Sequence, residues 1–334
     1  MESELPEMVQ ALLDPRAYPD SSERVEMVQT QMSFVFIVGD YVYKIKKPVD
    51  LGYLDYTTLD KRRFYCQREV ELNRRLCPDA YLGVLSINQD KGNFTVDGKG
   101  EAIEYAVKML RLPSEAMLNV LLAKNRVTAE MITGVARKMA EFHREAATSA
   151  VISGFGDLDV IMTNTEENFN QTIKYIGNTI SQKSYRQIKD YTNTFIDDNT
   201  LLFLNRVDDG SIRDCHGDLH AAHVCFADSI YIYDCIEFND RFRYCDVVSE
   251  IAFLAMDLDN YGRADLSKVF VDAYVSFGED EELRELLNFY KCYRAYVRGK
   301  VESFQLDDPN IPEGEKTGIK TSAQKYFELA ESYI

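Results

Sequence analysis

Residues 215–226 read CHGDLHAAHVCF, three of the chain's four histidines with an aspartate between the first two. Two chemistries fit this stretch. On a helix, His216, His220 and His223 would stand at i, i+4 and i+7 on one face, an arrangement in which three imidazoles hold zinc and leave a position open for water. On a loop, Asp218 becomes the central group, an acid on a tight turn with His223 five residues later and Asp234 sixteen later. Gly217 and Asp218 together favour the loop, because glycine is costly inside a helix and aspartate prefers caps and turns. The run SIYIYD, residues 229–234, follows as a short β-branched and aromatic strand that ends on Asp234.

A loop and strand that carry acids back to one place suit phosphoryl transfer. That reaction asks for a carboxylate to orient and deprotonate an attacking hydroxyl, and for further ligands to hold a divalent ion on a triphosphate. At the nucleotide end it asks for a cation over the phosphates, oriented by an acid. The amino-terminal part of the chain offers both. Lys44 in YVYKIKK would project from a strand on the same face as Val42, and Glu69 in CQREVE lies on the helix that follows. Lys46 shares the face of Lys44 and is its substitute; likewise Glu237 is the substitute for Asp234 as metal ligand.

Working outward, MSFVFIVGDYVYKIKK (32–47) is two β-rich runs around Gly39–Asp40, a hairpin signal. Residues 57–76 predict a helix capped by Thr58, with Phe64, Val70, Leu72 and Leu76 as its apolar stripe. Further strands follow in 81–112, closed by Pro113. From residue 114 the pattern becomes helical and stays so to Ile334, apart from the 215–234 loop and strand and a Pro-containing loop over 306–316. The expected fold is α+β and two-lobed: a small antiparallel sheet with one helix over residues 1–106, a hinge over 107–113, and a large, mostly helical lobe over 114–334 that carries the loop and the acceptor site.

The order of these motifs resembles the aminoglycoside phosphotransferase and choline-kinase-like branch of the protein-kinase-like fold, over about residues 30–260. HGDLH resembles that family's catalytic loop, which implies Asp218 as catalytic base and His216 as the loop's structural histidine. YIYD resembles the strand whose last residue binds magnesium, here Asp234. DVVSEIAFL resembles a later acidic segment, with Asp246 and Glu250 in its acidic positions, and MAEFHRE resembles the helix written L-A-x-L-H. VKMLRLP resembles the interlobe hinge, which implies Lys108 and Met109 at the nucleotide. The resemblance implies ATP and Mg²⁺ as cofactors. Two departures stand out. His223 occupies the position of a magnesium-binding asparagine, and imidazole suits Mn²⁺ or other transition metals better than Mg²⁺. TQMSFVF lacks the glycines that cover phosphates, which leaves Thr30, Ser33 and backbone amides as the substitutes there.

Composition narrows the partners. The chain has 55 acidic residues against 38 basic, a net charge of −17. Nucleic acid is therefore a poor expectation, because phosphate backbones are bound by basic faces. The balance leans towards a cationic small-molecule acceptor such as an aminosugar, although Arg241, Arg243 and the cluster over 294–300 would suit an anionic one, and Tyr293, Arg294 and Arg298 are candidates to line the acceptor pocket. His143 is expected to pack or hydrogen-bond between lobes. No membrane span and no leader are visible, so the expected location is the cytoplasm, with the seven cysteines reduced. Only eleven residues separate Asp234 from Asp246, too few for a peptide-docking segment, which favours a small acceptor. The expected function is transfer of the ATP γ-phosphate to a hydroxyl of a small molecule. The alternatives are a nucleotide-binding regulator without turnover and a histidine-rich metal-dependent hydrolase.

Overall fold

The computed structural model describes residues 5–20, 22–308 and 311–334. Its contacts divide the chain into two units. The first is Met1–Met117 together with Cys225–Asp240, and the second is Leu118–Val224 together with Arg241–Ile334. Residues 225–240, expected with the helical lobe, thus group with the sheet.

The first unit is built on a six-stranded antiparallel sheet. Strands β1 (Val25–Gln29), β2 (Ser33–Val38), β3 (Tyr41–Lys46), β4 (Tyr81–Asp90), β5 (Asn93–Val96) and β6 (Glu101–Leu110) lie in the order β1-β2-β3-β6-β4-β5. The expected hairpin forms between β2 and β3, and Gly39 supplies the positive φ of 59° that its turn requires. Period-two alternation sorts the side chains of β3. Tyr43 and Ile45 enter an apolar core with Phe34, Phe36 and Val38, covered by Val9, Leu12 and Tyr18 of the amino-terminal segment. Lys44 and Lys46 point to the other face, where the helix Leu59–Asn73 packs.

That helix starts where Thr58 accepts a hydrogen bond from the Lys61 amide. Val70, Leu72 and Leu76 of the expected stripe are buried, but Phe64 is 53% exposed, and Arg62, Glu69 and Asn73 are buried beside Cys66. The buried charges have a direct cause. The helix covers a strand face that carries charge, so Glu69 turns inwards to Lys44 and Lys46 and Arg62 turns inwards to Glu104.

The second unit is helical, as expected. Its long helices include Ala129–Glu145, Leu158–Thr172, Gln182–Asp198, Val247–Asn260, Ala264–Gly278 and Leu283–Gln305. Pro309 and Asn310 of the expected 306–316 loop lie outside the described residues, and Glu313–Glu331 is already helix. Two short strands, β7 (Ile212–Asp214) and β10 (Tyr244–Asp246), pair antiparallel and flank the histidine-rich stretch in sequence; between them, β8 (Val224–Phe226) and β9 (Ile230–Ile232) pair as a hairpin. All seven cysteines are free thiols and six are buried. Among the described residues, no helix is long and apolar enough to cross a membrane.

Candidate active site

The stretch 215–220 is loop, and only Ala221–His223 makes a single 3₁₀ turn, so the three histidines do not form one helical face. Gly217 takes a φ of 88°, and this left-handed step turns the loop. Its shape is set from outside by Glu250, a fully buried carboxylate on the helix Val247–Asn260. One oxygen accepts the Gly217 amide at 2.6 Å and the His216 amide at 2.9 Å, and the other meets His143 Nε2 at 2.8 Å. His143 Nδ1 lies 2.7 Å from the Tyr274 hydroxyl, so this histidine works inside the second unit rather than between lobes. Burial alone would raise the Glu250 pKa, but the bonds from His143 and the loop amides outweigh that and hold it at about 2. Asp257 accepts the Ala221 amide at 2.9 Å, and the buried Arg294 donates to the Gly217 carbonyl at 3.4 Å. Asp246 accepts from Arg206 and from the Val248 amide, and so caps the Glu250 helix.

The loop presents Asp218 beside two imidazoles. Oδ2 of Asp218 lies 3.5 Å from His223 Nδ1 and 3.7 Å from His220 Nε2. Burial would push its pKa up; His220, His223 and the Arg298 guanidinium together hold it far below the ordinary carboxylate range. His216 Nδ1 faces the Asp218 amide at 3.3 Å, a role in the loop's shape as the sequence implied. His223 Nδ1 sits 2.9 Å from the Asp218 carbonyl oxygen. A carbonyl can only accept, so Nδ1 carries the proton, and in the neutral ring Nε2 is the nitrogen with the lone pair. A backbone carbonyl that fixes the tautomer in this way is the usual support of a metal-binding histidine. Asp218, His220 and His223 form one of the two clusters of metal-capable donors among the described residues, and the other is the buried set His143, Cys215 and Glu250.

In the first unit, Lys44, Glu69 and Asp234 meet as the sequence suggested. Lys44 Nζ lies 2.7 Å from Asp234 Oδ1, and 2.9 Å from Glu69 Oε1 in an ion pair without hydrogen-bond alignment. The open alternatives at these positions are met by both residues at once. Lys46 Nζ lies 2.6 Å from the second Glu69 oxygen and is ion-paired to Glu237, whose Oε1 also accepts from the Tyr56 hydroxyl at 2.6 Å. Burial alone would lower both lysine pKa values. Asp234, Glu69 and Glu237 around Lys44, and Glu237 and Glu69 around Lys46, raise both well above the usual lysine range instead. Asp234 has a φ of 62°, a strained position for a residue with a side chain. It is held by the Tyr81 hydroxyl at the Asp234 amide, 3.2 Å, and by Asn73, which accepts the next amide at 2.9 Å.

Other expected residues are placed differently. The Thr30 hydroxyl accepts the amides of Met32 and Ser33 at 3.2 and 3.0 Å and so closes the β1–β2 turn on itself. Ser33 is buried opposite Lys46. Lys108 and Met109 lie within β6, in register with both β3 and β4; Lys108 Nζ binds Asp20 at 2.7 Å on the Tyr43 face of the sheet, away from Lys44, whereas Met109, opposite Val42, shares the face of Lys44. Tyr56, Asn73 and Tyr81 were missed in the sequence. Only Asn73 left a signal there, four residues after Glu69 and therefore on the same helical face.

No family model matches the chain. It is 31% identical over 288 residues to uncharacterized proteins of Mycobacterium tuberculosis and Mycobacterium bovis; the match covers 86% of this chain and 56% of the length of those relatives. Among solved structures it is similar to a choline/ethanolamine kinase family protein from Mesorhizobium loti, with a TM-score of 0.51 at 12% identity, over 97% of this chain and 98% of that one. It is similar to a candidate aminoglycoside phosphotransferase from Ralstonia eutropha to the same degree, with a TM-score of 0.51 at 12% identity, over 98% of this chain and 97% of that one. The chain has the two-lobed, kinase-like α+β fold of these structures.

Proposed function

We propose that the protein is an ATP-dependent phosphotransferase acting on a hydroxyl of a small molecule. The observation that carries this reading is Asp218, an ionised acid on a loop whose amides are clamped by the buried Glu250. As the base, Asp218 would orient the acceptor hydroxyl and take its proton as the oxygen attacks the γ-phosphorus. Lys44, steadied by Glu69, would hold the phosphates. Asp234, in the first unit, is proposed as a ligand of the divalent ion, which would supply charge neutralisation on the triphosphate. His223, in the second unit, is proposed as an imidazole ligand for a divalent ion, a donor that suits Mn²⁺ as well as Mg²⁺.

The acceptor is proposed to be cationic. Of the cations that would suit an anion, Arg241 pairs with Glu167, the fully buried Arg243 with Asp214, and Arg294 with two backbone carbonyls, while Arg298 pairs with Glu302 and acts on Asp218. The test is ADP formation with Mg²⁺ or Mn²⁺ across aminoglycosides, amino alcohols, sugars and sugar phosphates. Turnover with hydroxyl-bearing cations is the expected result. Turnover confined to sugar phosphates would overturn the acceptor class, and nucleotide binding without turnover on any acceptor would favour a regulator.

A further inference from the structure

The proposed function uses Lys44, Glu69 and Asp234 and leaves a second, more deeply buried ionic group beside them without a role. Lys46, Glu69 and Glu237 are 2%, 0% and 5% exposed, and Tyr56 is 1% exposed. Burying an ion pair is expensive, and an apolar pair of similar volume often stabilises a fold as well or better. Two lysines two residues apart on β3 share a single carboxylate, Lys44 on Oε1 and Lys46 on Oε2, and each also binds one acid of the segment after β9, Asp234 or Glu237. Exposure separates the two halves. The side chains of Lys44 and Asp234 are 17% and 41% exposed and can meet a ligand, while those of Lys46 and Glu237, at 1% and 5%, cannot.

We propose that Lys46, Glu237 and Tyr56 are positioning residues for the nucleotide site: they hold Glu69 by one oxygen, so that the other is presented to Lys44 in one orientation, and they fix the segment that carries Asp234. A glutamate with one partner can rotate its carboxylate about the terminal torsion, which is broad and soft. With Oε2 held 2.6 Å from the Lys46 ammonium, that rotation is stopped. The Tyr56 hydroxyl, donating 2.6 Å to Glu237 Oε1, keeps Glu237 on Lys46 in turn. Glu237 lies three residues after Asp234, so the same clamp anchors the backbone that bears the proposed metal ligand.

This inference rests on the proposed phosphotransferase site, and its test separates the two. The affinity for ATP with Mg²⁺ and with Mn²⁺ is measured by calorimetry on the full chain, with thermal unfolding alongside, for the parent, Tyr56→Phe, the double variant Lys46→Met with Glu237→Gln, and the control Glu104→Gln. Glu104 pairs with Arg62 elsewhere on the same helix face. The double variant removes both charges together, which leaves no unpaired buried ion. Affinity is expected to fall about tenfold in the double variant and about threefold in Tyr56→Phe, the scale of weakening one charged hydrogen bond to the phosphates. The control should change less than about twofold. Parent-like affinity in a folded double variant, or in Tyr56→Phe if the double variant does not fold, overturns the positioning role alone. A folded parent that binds no nucleotide with either metal overturns the phosphotransferase reading, and the positioning role falls with it.

Discussion

Replacing Glu250 by glutamine should loosen the catalytic-looking loop and cost stability in a pH-dependent way. The carboxylate accepts the His216 and Gly217 amides and the His143 ring N–H, three donors on two oxygens, with full burial. A glutamine keeps one oxygen and turns an NH₂ towards groups that also donate. The protonation equilibrium supplies the size of the effect. The Glu250 pKa moves from the ordinary 4.5 to about 2 in the folded protein. At about 1.4 kcal/mol for each tenfold, that difference is worth about 3 kcal/mol. A depressed carboxylate pKa stabilises the fold above the unfolded value, and the contribution is lost as pH falls from about 4.5 through about 2. Unfolding of parent and Glu250→Gln should therefore differ by about 3 kcal/mol at pH 7, about 6–12 °C in Tm for a unit of this size, and by progressively less between pH 4.5 and 2. Equal stability at pH 7, or a gap that does not narrow on acidification, would refute the clamp.

Other expectations follow from the same geometry. Lys44→Met should weaken nucleotide binding about tenfold or more while the chain stays folded, since a charged hydrogen bond is worth about 1.5–3 kcal/mol; titration calorimetry reads it. His223→Asn should shift the metal preference of nucleotide binding from Mn²⁺ towards Mg²⁺, and identical preference in both proteins would remove His223 from the coordination sphere. Gly299→Ala would place a methyl 3.0 Å from three carbon atoms of the Phe327 ring, between the last two long helices. The overpacking should cost about 1–3 kcal/mol in unfolding experiments.

Much of the first unit was legible because period-two alternation and turn residues are local signals. The β2–β3 hairpin and the Thr58 cap could be read from a handful of neighbours. The helix Leu59–Asn73 and most of its apolar stripe were legible, but the burial of Arg62 and the exposure of Phe64 were not, because hydrophobicity does not register charged partners on the covered strands. Asp218 stood out since Gly217–Asp218 favours a loop over a helix. The use of both Lys44 with Lys46 and Asp234 with Glu237 was not legible, since it depends on Glu69 having two oxygens and on two segments about 190 residues apart meeting there. The role of Thr30 also escaped the sequence, where its hydroxyl looked available for phosphate; it closes its own turn instead. Lys108 fell to the far face of the sheet by the same alternation that placed Lys44, a step the motif order alone does not count.

The most direct test of the account is the steady-state phosphotransfer rate of the parent and of Asp218→Asn on the best acceptor found, with nucleotide affinity measured on both. Asparagine keeps the size and one acceptor oxygen of Asp218 but cannot take a proton. The account predicts that kcat falls by about 10²–10⁴ while nucleotide affinity stays within about threefold, because it assigns Asp218 to the acceptor hydroxyl rather than to the triphosphate. Turnover by Asp218→Asn at the parent's rate would contradict it.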